Sequence, residues 1–103
     1  MTDLVDRIET MISAETRDLT QIERTLTDGY AEALVLEAEK WRTERRIAEV
    51  TQGIQRGDTA KKARELATLS KKLDGDEESL TRLRGVLAQL RRHANGVRVG
   101  SPS

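Results

Sequence analysis

The chain has 103 residues and a mass of 11.6 kDa; 35% of its residues are charged, 36% apolar and 2% aromatic, the last being Tyr30 and Trp41 alone. Eighteen basic residues match eighteen acidic ones and there is no Cys, which excludes a disulfide scaffold and a Cys-based zinc site. So few aromatic residues, with seven Gly and one Pro, do not suit an all-β domain, whereas the charged, helix-forming balance suits long helices or coiled coil.

The first expected element is a helix over residues 3–55. Its a positions are Val5, Ile12, Leu19, Leu26, Ala33, Lys40, Ile47 and Ile54; its d positions are Ile8, Glu15, Ile22, Gly29, Leu36, Thr43 and Val50. This seven-residue repeat is the spacing of supercoiling helices. Glu15, Gly29, Lys40 and Thr43 weaken the seam, and Asp28-Gly29 is the expected place for a kink. Residues 56–59 read as a turn, with Gly57 suited to the left-handed position after a helix and Asp58 or Thr59 suited to capping the next one.

The second helix is expected over 60–95, with Leu66, Leu73, Leu80, Leu87 and Ala94 at a and Leu69, Asp76, Leu83, Leu90 and Val97 at d. Asp74-Gly75-Asp76 has the composition of a helix restart, but the phase carries through it, so continuity is the stronger expectation. Gly96 reads as the end of the helix and 97–103 as a flexible tail. Two long amphipathic segments joined by a short turn make an all-α antiparallel hairpin over 1–96, coiled-coil in character. A kinked three- or four-helix bundle is the competing fold.

Folding the chain about Gly57 leaves residues 1–18 beyond the second helix, so Leu4, Ile8, Met11 and Ile12 are expected to bury themselves against another copy, with a dimer favoured. A kink at Asp28-Gly29 that turns residues 1–27 back as a third helix is the alternative. The charge is polarised. Residues 1–40 hold four basic and ten acidic groups, residues 41–103 fourteen and eight. Most of this polarity becomes cross-helix pairing in the hairpin, with Arg91 and Arg92 near Glu23 and Arg82 and Arg84 near Glu32.

A second apolar stripe, Tyr30, Leu34, Ala38 and Trp41, follows helical spacing off the seam and is the expected face for a protein partner. Arg42, Arg45, Arg46, Lys61 and Lys62 converge at the closed end of the hairpin, where they suit phosphate groups or an acidic partner. Nucleic-acid association is therefore the alternative function. The leucines from Leu66 to Leu87 do not make a DNA-binding zipper, because no strongly basic helix precedes them. Arg56-Gly57-Asp58 spells an adhesion tripeptide but needs no more than turn chemistry to explain it.

His93 is the one histidine and has no second His or Cys to join it in a metal or catalytic set. No phosphate-binding glycine motif occurs, and neither a catalytic residue nor a cofactor or metal is expected. No apolar run approaches the ~18 residues of a membrane span, and Asp3, Asp6 and Arg7 interrupt any signal-like core. A cytoplasmic, non-enzymatic coiled-coil interaction or assembly module, self-associating through its heptad seams and without a membrane partner, is the expected function.

Overall fold

In the computed structural model of the chain the described residues are 2–57 and 59–100, the side chains of Thr2, Asp3 and Gln55 excepted. They form three α-helices: α1, Thr2–Ser13; α2, Leu19–Gln55; and α3, Thr59–Gly100. The fold is all-α, and α2 and α3 pack antiparallel as a hairpin. Arg46 of α2 meets Glu65 of α3 at 2.6 Å, and Glu39 meets Lys72 at 3.1 Å, one heptad along each helix. The hairpin reverses at Gly57, whose φ of 121° lies in the region that disfavours any side chain. The Arg56 N–H donates to the Gly53 carbonyl and the Gly57 N–H to the Ile54 carbonyl, at 3.1 and 3.2 Å, closing α2. Asp58, expected as a cap, lies outside the described residues.

The expected helix over 3–55 is interrupted, and not at Asp28-Gly29. α1 stops at Ser13 and the chain turns through Ala14–Asp18. Glu15 takes a left-handed φ of 53°, its N–H donates to the Ile12 carbonyl at 3.1 Å, and the Thr16 N–H donates to the Met11 carbonyl at 3.1 Å. This pair of bonds is the Schellman motif, which satisfies the last carbonyls of a helix and reverses its direction. α2 then starts under Asp18, whose Oδ1 accepts from the Gln21 N–H at 3.3 Å while its carbonyl accepts from the Ile22 N–H at 3.0 Å.

The chain divides into two compact units: residues 1–34 with 81–103, and residues 35–80. The first unit is a three-helix arrangement. α1 supplies Val5, Ile8 and Met11 to its core, the start of α2 supplies Ile22, and α3 supplies Leu83, Val86, Leu87, Leu90, Ala94 and Val97, all buried. Buried Thr25 donates its hydroxyl to the Gln21 carbonyl at 2.9 Å, so it adds no unsatisfied polar group. An ion pair spans each helix contact of this unit: Arg7 with Asp28 at 3.6 Å, Arg82 with Glu9 at 3.2 Å, and Arg98 with Glu23. The pairings expected for Arg82 with Glu32 and for Arg91 and Arg92 with Glu23 are thus replaced. α1 presents Glu9 to Arg82, and the longer α3 brings Arg98 to Glu23.

Leu4, Ile8, Met11 and Ile12, expected to self-associate, all lie on α1. Ile8 and Met11 are buried within the chain and Leu4 and Ile12 are half-buried, because the turn at 14–18 folds α1 onto its own unit. Gly96 does not end α3 either. Val97 is 8% exposed in the core, so continuing the helix buries an apolar side chain that a tail would leave in water. Residues 101–103 of the expected tail lie outside the described residues.

Gly29 keeps helix α2 intact and serves packing. A Cβ at this position would collide with the Cδ2 of Leu87 across the α2–α3 contact. Gly29→Ala is expected to lower stability by about 1–3 kcal/mol through overpacking, measured by denaturant melts followed by circular dichroism. Glu15→Gly is expected to act the other way. It relieves a left-handed residue at a cost in unfolded-chain entropy, for a net gain of about 1 kcal/mol and a rise of several degrees in Tm.

Candidate interaction surfaces

The 35–80 unit is a two-helix hairpin, and its seam is only partly covered. Thr43, Val50 and Leu80 are buried, while Leu36, Ile47 and Ile54 of α2 and Leu66, Leu69 and Leu73 of α3 are half-buried. Side chains at heptad spacing on two helices form a single apolar strip, and two helices cannot enclose it. This unit has no counterpart of α1.

A polar layer crosses the seam. The Thr43 hydroxyl donates to the Glu39 carbonyl at 3.0 Å, and Lys72 Nζ donates to Thr43 Oγ1 at 3.3 Å and to Glu39 Oε2 at 3.1 Å. Asp76 Oδ2 lies 3.5 Å from Thr43 Oγ1, a long contact for a hydroxyl whose one proton is already donated. Thr43 and Asp76 are the polar d positions of the two helices, so the irregularities of the heptads meet one another. Matching such groups across a seam fixes register, because a slip would leave them against leucines.

The expected protein-binding residues are distributed over both units. Tyr30 and Leu34 belong to the three-helix unit, Ala38 and Trp41 to the hairpin unit, and all four are exposed. Trp41 is 61% exposed, and the Arg45 guanidinium lies 5.4 Å from the centre of its ring, a cation–π contact. Within the three-helix unit, Tyr30, Ala33, Leu87 and Ala88 line a shallow cleft of about 300 Å³ with Arg84 and Arg91 beside it. The sequence reading expected these two arginines only in cross-helix pairs and missed their place beside the cleft; their spacing of one heptad, flanking the apolar a position Leu87, was the available signal.

The basic group is largely engaged within the chain. Arg42 binds Glu39 at 3.3 Å, Arg46 binds Glu65 at 2.6 Å and Glu49 at 3.3 Å, and Arg45 covers Trp41. Lys61 is exposed, and the stem of half-buried Lys62 lies against Gly53, where a Cβ would meet its Cδ at 2.7 Å. His93 closes the turn after α1. Its Nε2 is 2.6 Å from the Thr16 carbonyl oxygen, which only accepts, so the Nε2 carries the proton. Together with Glu15, Arg17, Gly96 and Val97 it lines a cleft of about 250 Å³. Among the described residues no three of His, Asp and Glu gather so as to hold a metal ion, and no helix is long and apolar enough to cross a membrane.

Comparison with protein-family models, with curated proteins and with solved structures gives no match for the chain. Its surfaces are therefore read from their chemistry.

Hydrogen bonds from Lys72 and then Arg42, reinforced by their positive charges, hold the Glu39 carboxyl below the usual carboxylate range. Hydrogen bonds that Arg46 donates to Glu65 and then to Glu49 hold its guanidinium above its ordinary value. A depressed carboxylate contributes stability that is present above its unfolded pKa and is lost as pH falls through the folded one. The Arg46 contribution, by the opposite sign, persists throughout the ordinary pH range. The difference in melting midpoint between the wild-type chain and Glu39→Gln is thus expected to be largest near neutrality and to close in acid, as a pH series of thermal melts would show.

Proposed function

We propose that the chain is a non-enzymatic protein-assembly module, in which the 35–80 hairpin receives further helices along its partly uncovered seam. One observation carries the reading. Six large aliphatic side chains at heptad spacing are half-buried in a two-helix unit, whereas in the three-helix unit Ile22 of α2 and Leu83, Leu87 and Leu90 of α3 are fully buried and only Ile12, Leu19, Leu26 and Ala33 of its seam are half-buried. Full burial of such a side chain is worth about 1.5–3 kcal/mol, and between about a tenth and a third of each is still exposed, so covering six of them yields on the order of 1–6 kcal/mol. Association costs about 4–15 kcal/mol. A partner must therefore contribute an apolar strip of its own at least equal to this one to offset that cost, and a second copy supplies an equal strip.

Exposed Trp41, carrying Arg45, supports the same class of function on the outer side of the hairpin, since a large aromatic with an arginine is the usual composition of a protein-contact hot spot. The nucleic-acid alternative has less support, because Arg42 and Arg46 already hold carboxylates.

Solution mass by light scattering across a concentration series tests the proposal. The wild-type chain is expected to exceed its 11.6 kDa monomer mass, and Leu69→Asp, which places a charge in the seam, is expected to return it to the monomer with its helicity largely kept. A wild-type chain that stays monomeric at every concentration would overturn the proposal.

A further inference from the structure

We infer that the turn at Ala14–Asp18 is a hinge through which two copies of this chain exchange α1 as they fold, each laying its own α1 on the three-helix unit of the other. The inference concerns that unit and does not depend on what covers the 35–80 seam. The apolar series of the unit is laid out as one helix. Val5, Ile8 and Ile12 of α1 and Leu19, Ile22 and Leu26 of α2 keep a single heptad phase across the turn, with Glu15 at the d position between them. Two helices joined by a turn need share no phase, whereas a straight helix through the same residues sets all six side chains on one face. The turn holds neither Gly nor Pro, and Glu15 takes a left-handed φ of 53°, which a continuous helix would relieve. In the closed chain Arg7 of α1 lies beside Asp28 of α2. Two straight helices from two copies reproduce this antiparallel register about an axis near residues 17 and 18. Val5, Ile8 and Met11 then enter the same core in the second copy, and Arg7 and Glu9 meet its Asp28 and Arg82. The bonds that change are those of the hinge. Opening gives up the Schellman pair and the bond from His93 Nε2 to the Thr16 carbonyl, and that carbonyl accepts from the Thr20 N–H instead. Because the other contacts are remade in kind, the hinge and the concentration decide between the two forms. α1 supplies part of the core of its unit, so it leaves only when that core opens. Chains folded dilute therefore remain closed, and chains folded together at high concentration exchange.

The chain holds no cysteine, so an Arg7→Cys/Asp28→Cys chain can be joined at this one contact by a short bis-maleimide. Samples are refolded from denaturant over a concentration series, brought to one low concentration, cross-linked and run on a denaturing gel. In the closed chain the link is internal and the band stays at monomer mass. After exchange the link ties two chains into a covalent dimer. Either single-cysteine chain sets the level of chance collision, since in the exchanged dimer the two copies of residue 7, like those of residue 28, stand about 30 Å apart. Covalent dimer that rises with the refolding concentration is expected. Glu15→Gly, which suits the left-handed turn, is expected to lower the exchanged-to-closed ratio roughly tenfold, and Glu15→Leu, which disfavours the turn and fills the d position, to raise it. His93→Ala is expected to raise it as well, because the closed form alone uses that hydrogen bond. Internal links at every refolding concentration, with Glu15→Leu included, would overturn the exchange. A dimeric mass in light scattering combined with internal links would overturn it while leaving association through the 35–80 seam standing. Covalent dimer that persists with Leu69→Asp would support the exchange independently of that seam.

Discussion

Two helices side by side cannot enclose the apolar strip they share, and this constraint organises the molecule. In the unit formed by residues 1–34 and 81–103 a third helix answers it. α1 lays Val5, Ile8 and Met11 against Ile22 of α2 and the leucines of α3. The described residues of the 35–80 unit supply two helices and no third, and the aliphatic side chains there keep part of their surface in water. The difference turns on five residues. A Schellman turn at Glu15 and a cap at Asp18 reverse the chain after twelve residues of helix, and without that reversal α1 would continue α2 and leave both seams open.

Apolar contact alone does not select a register on helices as repetitive as these. The exposed ion pairs contribute little energy each, but they occur at all three helix contacts of the first unit and at heptad spacing in the second. The Thr43, Lys72, Glu39 and Asp76 layer adds a constraint that leucines cannot, since sliding the helices by one turn would set its polar groups against aliphatic neighbours. The polar interruptions of the heptads are in this sense part of the address by which α2 and α3 find each other.

The hairpin, its reversal at Gly57 and the inward leucines of α3 were legible in the sequence, because periodicity and a left-handed glycine are local signals. The break at Ala14–Asp18 was hidden because the heptad phase runs through it: Val5, Ile12, Leu19 and Leu26 keep one spacing on both sides of a turn that reverses direction. Glu15 gave no warning, since glycine is the usual residue for its conformation. Gly29 and Gly96 misled in the opposite sense. Each resembles a helix breaker, yet Gly29 stays helical to admit Leu87, and Gly96 stays helical because Val97 beyond it is drawn into the core. Of the candidate surfaces, exposure at Tyr30, Leu34, Ala38 and Trp41 was legible from helical spacing. The neutralisation of Arg42 and Arg46 was not, because it depends on which carboxylates the opposing turns deliver.

The distribution of the two aromatic residues also gives each unit its own optical signature. Tyr30 sits beside a cleft of the three-helix unit, and Trp41 stands exposed on the hairpin unit under the Arg45 guanidinium. Indole emission therefore reports the surroundings of the hairpin alone, and phenol absorbance those of the three-helix unit alone. A chain with one chromophore of each kind resolves by colour which of its halves responds when the solvent changes.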